Sequence, residues 1–170
     1  MAGINYQVIM AIDPGPIESG WVIMSGKLII RFGINSNWEL RTIIREAKPE
    51  VVAMSYEMIG SYGMPVGKEI FNTCVWIGRF LESFYGDDTN EDGNPIFRRD
   101  VKLHLCGSAR AKDGNVRQAI LDIYEPSGGG KIPQIGTKNQ KGPLYGVSSH
   151  VWAALGVGLT SQGIWQKGGG

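Results

Sequence analysis

Cysteine is scarce in this chain of 170 residues, with Cys74 and Cys106 the only two. Two thiols make no disulfide scaffold, and no spacing resembles a zinc site. Set in core-like segments, both read as buried thiols of a reducing compartment. Long apolar runs are missing as well. None approaches the ~20 residues needed to cross a bilayer, and the N-terminus lacks the basic stretch and long apolar run of a signal peptide. The expectation is a soluble intracellular protein with no membrane contact. Charge of one sign is not in excess either: 17 basic side chains face 16 acidic ones, for a formal net charge of +1. Any nucleic-acid binding must then come from where the positives lie, not from their sum.

The chain does hold enough apolar residues, 42%, for a substantial single core. One domain over residues 1–165 is expected, with a glycine-rich tail at 166–170 and no internal repeat. Residues 6–13, 20–25 and 27–34 read as three successive strands, and 37–47 as a helix that stops before Pro49. Residues 50–57 look like another buried strand, and 66–84 like the best helix, with Ile70, Phe71, Cys74, Ile77, Leu81 and Phe84 on one stripe. A strand at about 96–105, a helix at 114–124, an irregular segment at 126–147 and a final helix at 148–161 complete the reading. This order predicts an α/β fold, a mixed five-stranded sheet with helices packed on it.

Two acids stand out. Asp13 ends the apolar run Val8-Ile9-Met10-Ala11-Ile12 just before the turn Pro14-Gly15, and Glu57 ends the strand Glu50–Glu57. A carboxylate at the tip of a buried strand is expensive unless a cation or hydrogen bonds compensate. Side by side on neighbouring central strands, the pair would repel, and one would stay protonated unless a divalent cation sat between them. Oxygen donors suit Mg²⁺ or Mn²⁺. The basic side chains Lys102, Arg110, Lys112 and Arg117 cluster before and within the 114–124 helix and could counter phosphate charge. Lys131, Lys138 and Lys141 either grip phosphates or keep a mobile glycine-rich loop soluble. Tyr62 and Met64, just beyond Glu57, either pack between loop and helix or form a wedge that unstacks bases. Asp88-Thr89-Asn90-Glu91-Asp92-Gly93 matches the first half of a calcium loop, but Arg99 stands at the twelfth place, so it reads as a turn.

Several blocks, taken in order, resemble the RuvC-like Holliday-junction resolvases of the RNase H-like superfamily, with the short phage-encoded branch closest. They are Ala11-Ile12-Asp13-Pro14-Gly15 through Gly20-Trp21; Tyr56-Glu57-Met58; Val101–Gly107 followed by Ala111–Gln118; and Ser149-His150-Val151-Trp152-Ala153-Ala154-Leu155. Tyr62–Gly67 and Trp76–Phe80 add support. The resemblance implies the RNase H-like fold, with helices on both faces of the sheet, and a Mg²⁺-dependent endonuclease that resolves four-way DNA junctions. It further implies two ions per site, Mn²⁺ as a substitute, no organic cofactor, and a homodimer built on the 66–84 helix. The setting implied is the cytoplasm of a bacterium or a phage-infected host. Asp13 would bridge the ions, Glu57 would hold one, and His150 would hold the other or orient the water.

The sequence departs from the family at one place. The final helix usually offers two metal ligands three residues apart, and here those positions are His150 and Ala153. Alanine binds no metal. Either a reduced ligand set works, or another acid substitutes, or the chain carries an inactivating substitution. The alternatives to junction resolution are a broader nuclease of flaps and forks, or a catalytically weak junction-binding protein.

Overall fold

The apolar run at the N-terminus becomes the central strand of a five-stranded sheet. The computed structural model describes residues 4–87 and 90–165. The strands are β1 (Val8–Asp13), β2 (Glu18–Ser25), β3 (Leu28–Ser36), β4 (Ala53–Met58) and β5 (Asn94–Phe97). Their order across the sheet is β3-β2-β1-β4-β5. β1, β2 and β3 form an antiparallel meander, whereas β4 and β5 run parallel to β1. β1 has neighbours on both edges and both faces covered, which is why it carries no polar residue before its tip.

Alternation along the strands sends side chains to two cores. Met10, Ile12, Trp21 and Ile23 pack with α1 (Asn37–Ala47) and α2 (Lys68–Tyr85) on one face. Ile9, Ala11, Val22 and Met24 pack on the other with α4 (Asp113–Ile123), α5 (His150–Ser161) and Val101 of α3 (Arg98–Cys106). The expected mixed sheet with helices on both faces is therefore present. α5 lies directly across the sheet. Gly158 makes this possible, because a Cβ there would collide with Met24 Sδ and crowd Ala11 Cβ at 3.2 Å.

Three expectations need correction. The segment 96–105 is not one strand: β5 ends at Phe97 and α3 follows at once. Val101, Leu103 and Leu105 alternate as they would in a strand, yet Val101 is the buried residue of α3 and Leu103 is exposed. Asp100, three residues after Phe97, accepts from the Phe97 N–H, and Gly107 ends the helix in the left-handed conformation. Second, the buried face of α2 is Thr73, Trp76, Ile77, Phe80, Ser83 and Phe84, while Phe71 and Cys74 face solvent. Third, Cys74 is exposed and Cys106 is half-buried, so the two thiols are not a buried pair.

The 126–147 segment has no helix or strand, but it is tied down from within. Gly128 donates to Pro133, Gly142 to Ile135, and Leu144 to Gln134. Leu144 and Val147 then enter the core. Asp88 and Thr89 of the acidic turn and the tail 166–170 lie outside the described residues. No helix among the described residues is long and apolar enough to cross a membrane.

Candidate active site

The parallel pairing of β1 and β4 sets Ile12 opposite Tyr56, so Asp13 and Glu57 come next on adjacent strands. Both are largely buried, with side chains 17% and 22% exposed. Burial pushes the Glu57 carboxyl up to about 7, the charge of Asp13 pushes the same way, and Arg98 opposes them. Burial also raises Asp13, against the lowering effects of its bond to His150 and of Arg98. The sequence expectation of two mutually repelling carboxylates, one of them prone to hold a proton, thus has a geometric basis.

The turn that carries Asp13 is pinned from behind. Ser19 Oγ accepts from the Gly15 N–H at 3.1 Å and donates to Asn37 Oδ1 at 2.6 Å, and Asn37 Nδ2 donates to the Gly15 carbonyl at 2.9 Å. Ser19 and Asn37 are both fully buried. The first residue of α1 therefore braces the β1–β2 turn. Small polar residues at a helix start look like ordinary caps in a sequence, which is why this brace was not legible there; the cap itself is Ser36.

His150 opens α5 and meets Asp13, with Nδ1 2.8 Å from Asp13 Oδ2. Gly20, paired with Asp13 across β1 and β2, permits this approach. A Cβ on Gly20 would stand 2.5 Å from the His150 carbonyl carbon and 2.7 Å from its Cβ. Ser149, immediately before, holds φ 43° and ψ −124°, a conformation side-chain-bearing residues rarely adopt. A neutral imidazole that donates from Nδ1 keeps its lone pair on Nε2, free to accept a proton.

Two further residues enter that sequence reasoning missed. Arg98, the first residue of α3, places Nη1 3.9 Å from Glu57 Oε2 and Nη2 2.7 Å from Asp113 Oδ1. Asp113, the first residue of α4, is held below the usual carboxylate range by that bond. Lys102 lies one helical turn after Arg98, with Nζ 4.0 Å from the same Asp113 oxygen. The acid at Asp100 and the stop at Gly107 were the signals that could have turned the strand reading into a helix and placed Arg98 on this face.

The other expected residues are distributed as follows. Tyr62 lines an open cleft of about 220 Å³ with Asp13, Glu57 and Arg98. Met64 is 76% exposed and does not line it. Arg117 lines a neighbouring groove with His150 and Ala153. Arg110 and Lys112 are exposed between α3 and α4, without contact to the carboxylates. Lys131, Lys138 and Lys141 are exposed on the glycine-rich loop, Lys141 over the Tyr145 ring.

Whether these donors suit a divalent cation can be judged on the side chains. Glu57 Oε2 is buried without a hydrogen-bond partner, and two hard carboxylates sit on adjacent strands. That fits Mg²⁺ or Mn²⁺, hard cations that take one or two carboxylates and complete their shell with water. Among the described residues no three His, Cys, Asp or Glu side chains converge as a ready-made metal cage, and Ala153 adds no donor on the His150 side.

No protein-family model and no curated protein matches the sequence significantly. Solved structures do match. One, described as the Thermus thermophilus RuvC structure, aligns over 94% of this chain and 99% of its own with a TM-score of 0.64 at 16% identity. Another, T. thermophilus RuvC in complex with Holliday junction substrate, aligns over 91% of this chain and 92% of its own with a TM-score of 0.62 at 18% identity. The chain has a RuvC-like fold, the RNase H-like mixed sheet flanked by helices on both faces.

Proposed function

We propose that this protein is a divalent-metal-dependent endonuclease that nicks branched DNA, four-way junctions foremost. The observation that carries this reading is the pair Asp13 and Glu57 at the tips of adjacent parallel strands, with His150 bonded to Asp13. The likeness to a RuvC bound to a Holliday junction supports the choice of substrate.

Asp13 and Glu57 would hold the cation, which when bound supplies Lewis acidity toward a phosphate oxygen and a more acidic water. The rest falls to the chain. Asp13 fixes the His150 ring by accepting from Nδ1, and Nε2 takes a proton from the attacking water. The water oxygen bonds to phosphorus as the bond to the 3′ oxygen breaks, that oxygen takes a proton from solvent water as it leaves, and His150 afterwards returns its own proton to solvent. Lys102, Lys112 and Arg110 beside the site, and Lys131, Lys138 and Lys141 on the loop, counter the phosphate charge of the arms. Tyr62, on the cleft wall and 66% exposed, offers its ring to an unstacked base at the branch point; Met64 stands beyond it.

Symmetric nicking of a junction calls for two copies related by a two-fold axis. The exposed apolar side chains of α2, Phe71 and Val75, support a homodimer built on that helix. Matched four-way, flap and duplex substrates incubated in Mg²⁺ test the function. Paired, symmetric nicks in the junction are expected, and preferential cutting of the flap would overturn the junction reading in favour of a broader nuclease.

Ala153 favours a second reading, a junction-binding protein that cuts weakly or not at all. Comparing the chain with Ala153→Asp separates the two. If the missing ligand has disabled the site, the aspartate variant gains cleavage. If the site is complete as it stands, the new acid pairs with the nearby guanidinium groups and cleavage stays level or falls.

A further inference from the structure

Arg98 stands where two parts of the site meet. On one side it lines the cleft at Asp13 and Glu57; on the other it lines a groove of about 420 Å³ with Asp113, Arg117, His150 and Ala153. Its Nη2 is bonded to Asp113. Its Nη1 is buried, has no hydrogen-bond partner, and lies 3.9 Å from Glu57 Oε2, beyond hydrogen-bond range. A buried guanidinium N–H without an acceptor is costly in a finished ion-pair network. It lies toward Glu57, so the two neighbouring carboxylates do not saturate the guanidinium.

The same groove holds a second guanidinium, that of Arg117. Arg117 lies over the Trp152 ring, 4.9 Å from its centroid, which holds the side chain against the groove. The carboxylate lining this groove, Asp113, is already engaged by Arg98. At Ala153 the groove is lined by a methyl group, which offers a cation no donor. The groove therefore presents two guanidinium groups and an imidazole beside an acid that is spoken for. That is the charge balance of an anion site, and planar guanidinium donors match phosphate oxygens bidentately.

We propose that Arg98 and Arg117 bind a phosphate of the substrate strand in this groove, so that the site works with one divalent cation per protomer and a guanidinium in place of a second. The identity of the phosphate as one belonging to DNA rests on the nuclease reading above; its capture by these two arginines does not.

Inorganic phosphate is the probe, titrated into the full chain and followed by the side-chain N–H resonances of arginine. Saturable shifts of Arg98 and Arg117 are expected, with affinity reduced about tenfold or more in Arg98→Met. Arg98→Lys keeps the charge and a bond to Asp113 but loses the fork. It should bind several-fold more weakly than the parent, and it serves where Arg98→Met does not fold. Unchanged phosphate affinity in either variant, or shifts spread over the surface lysines instead, would overturn the proposal. So would calorimetry showing two Mn²⁺ per protomer in saturating phosphate, where one is expected. The two readings fail separately. Phosphate held by Arg98 in a protein that never nicks a junction removes the nuclease and leaves the groove. Nicking with phosphate affinity indifferent to Arg98 does the reverse.

Discussion

Glu57 ties the site to pH. Its carboxyl is raised from an ordinary 4.5 to about 7 by burial first and by Asp13 second. The fold thus favours the protonated form. The stability this contributes is complete below about pH 4.5 and is lost as pH rises through about 7. The metal-free protein should melt lower at pH 8 than at pH 6. Glu57→Gln should abolish most of that difference, worth about 1 kcal/mol; a slope untouched by the substitution would place the titration elsewhere. The metal binding proposed above runs the other way, because it needs the carboxylate. Cleavage at fixed Mg²⁺ should therefore fall as pH drops below about 7. Asn37 offers a second test among single residues. Asn37→Ala strips the acceptor from Ser19 and the donor from the Gly15 carbonyl in a fully buried setting. A loss of about 1–3 kcal/mol in urea unfolding is expected, with slower nicking because the Asp13 turn loses its brace. Of these residues, Asp13 and Glu57 were legible in the sequence because a charge at the end of an apolar run has no structural excuse. Asn37 and Ser19 were not, since their roles exist only through contacts distant in the chain.

Between elements, the decisive contact is that of α5 with β2. Gly20 lets the backbone at His150 come against the strand beside Asp13, and the atoms a Cβ would strike are mostly backbone and cannot swing aside. Gly20→Ala should displace the start of α5 and part His150 from Asp13. A fall in nicking rate on the order of 100-fold is expected, as for a misplacement of about 1 Å, together with a lower melting temperature. An alanine variant that nicks normally would remove His150 from the chemistry. The sequence conveyed most elements here. Long apolar runs marked β1 and β4, and helical spacing marked α1, though on α2 the stripe was read partly on the wrong face. It misled at α3, where Val101, Leu103 and Leu105 alternate like a strand although the buried contact is made by Val101. In a strand Arg98 and Lys102 would share a face but stand about 13 Å apart. In a helix the two share a face one turn apart, and that places the guanidinium at the carboxylates. The groove at Ala153 was invisible for the same reason.

Across the whole molecule, charge is nearly balanced, yet it is not evenly spread. No acid follows Glu125, while Lys131, Lys138 and Lys141 project from a loop that its own backbone bonds hold in shape. Binding to DNA should therefore be strongly salt-dependent in spite of the small net charge, with affinity falling steeply between low and physiological salt. An affinity flat in salt would mean that these positives do not meet phosphate. The proposed nuclease turns on Asp13 as a metal-holding carboxylate in the hydrolysis of branched DNA. It is tested most directly by incubating a synthetic four-way junction with the parent chain and with Asp13→Asn in Mg²⁺, scoring nicks and bound complex side by side. Paired nicks are expected from the parent, and from the asparagine variant none, with junction binding largely retained. Equal nicking by both proteins, or no nicking by the parent in Mg²⁺ or Mn²⁺, would contradict it.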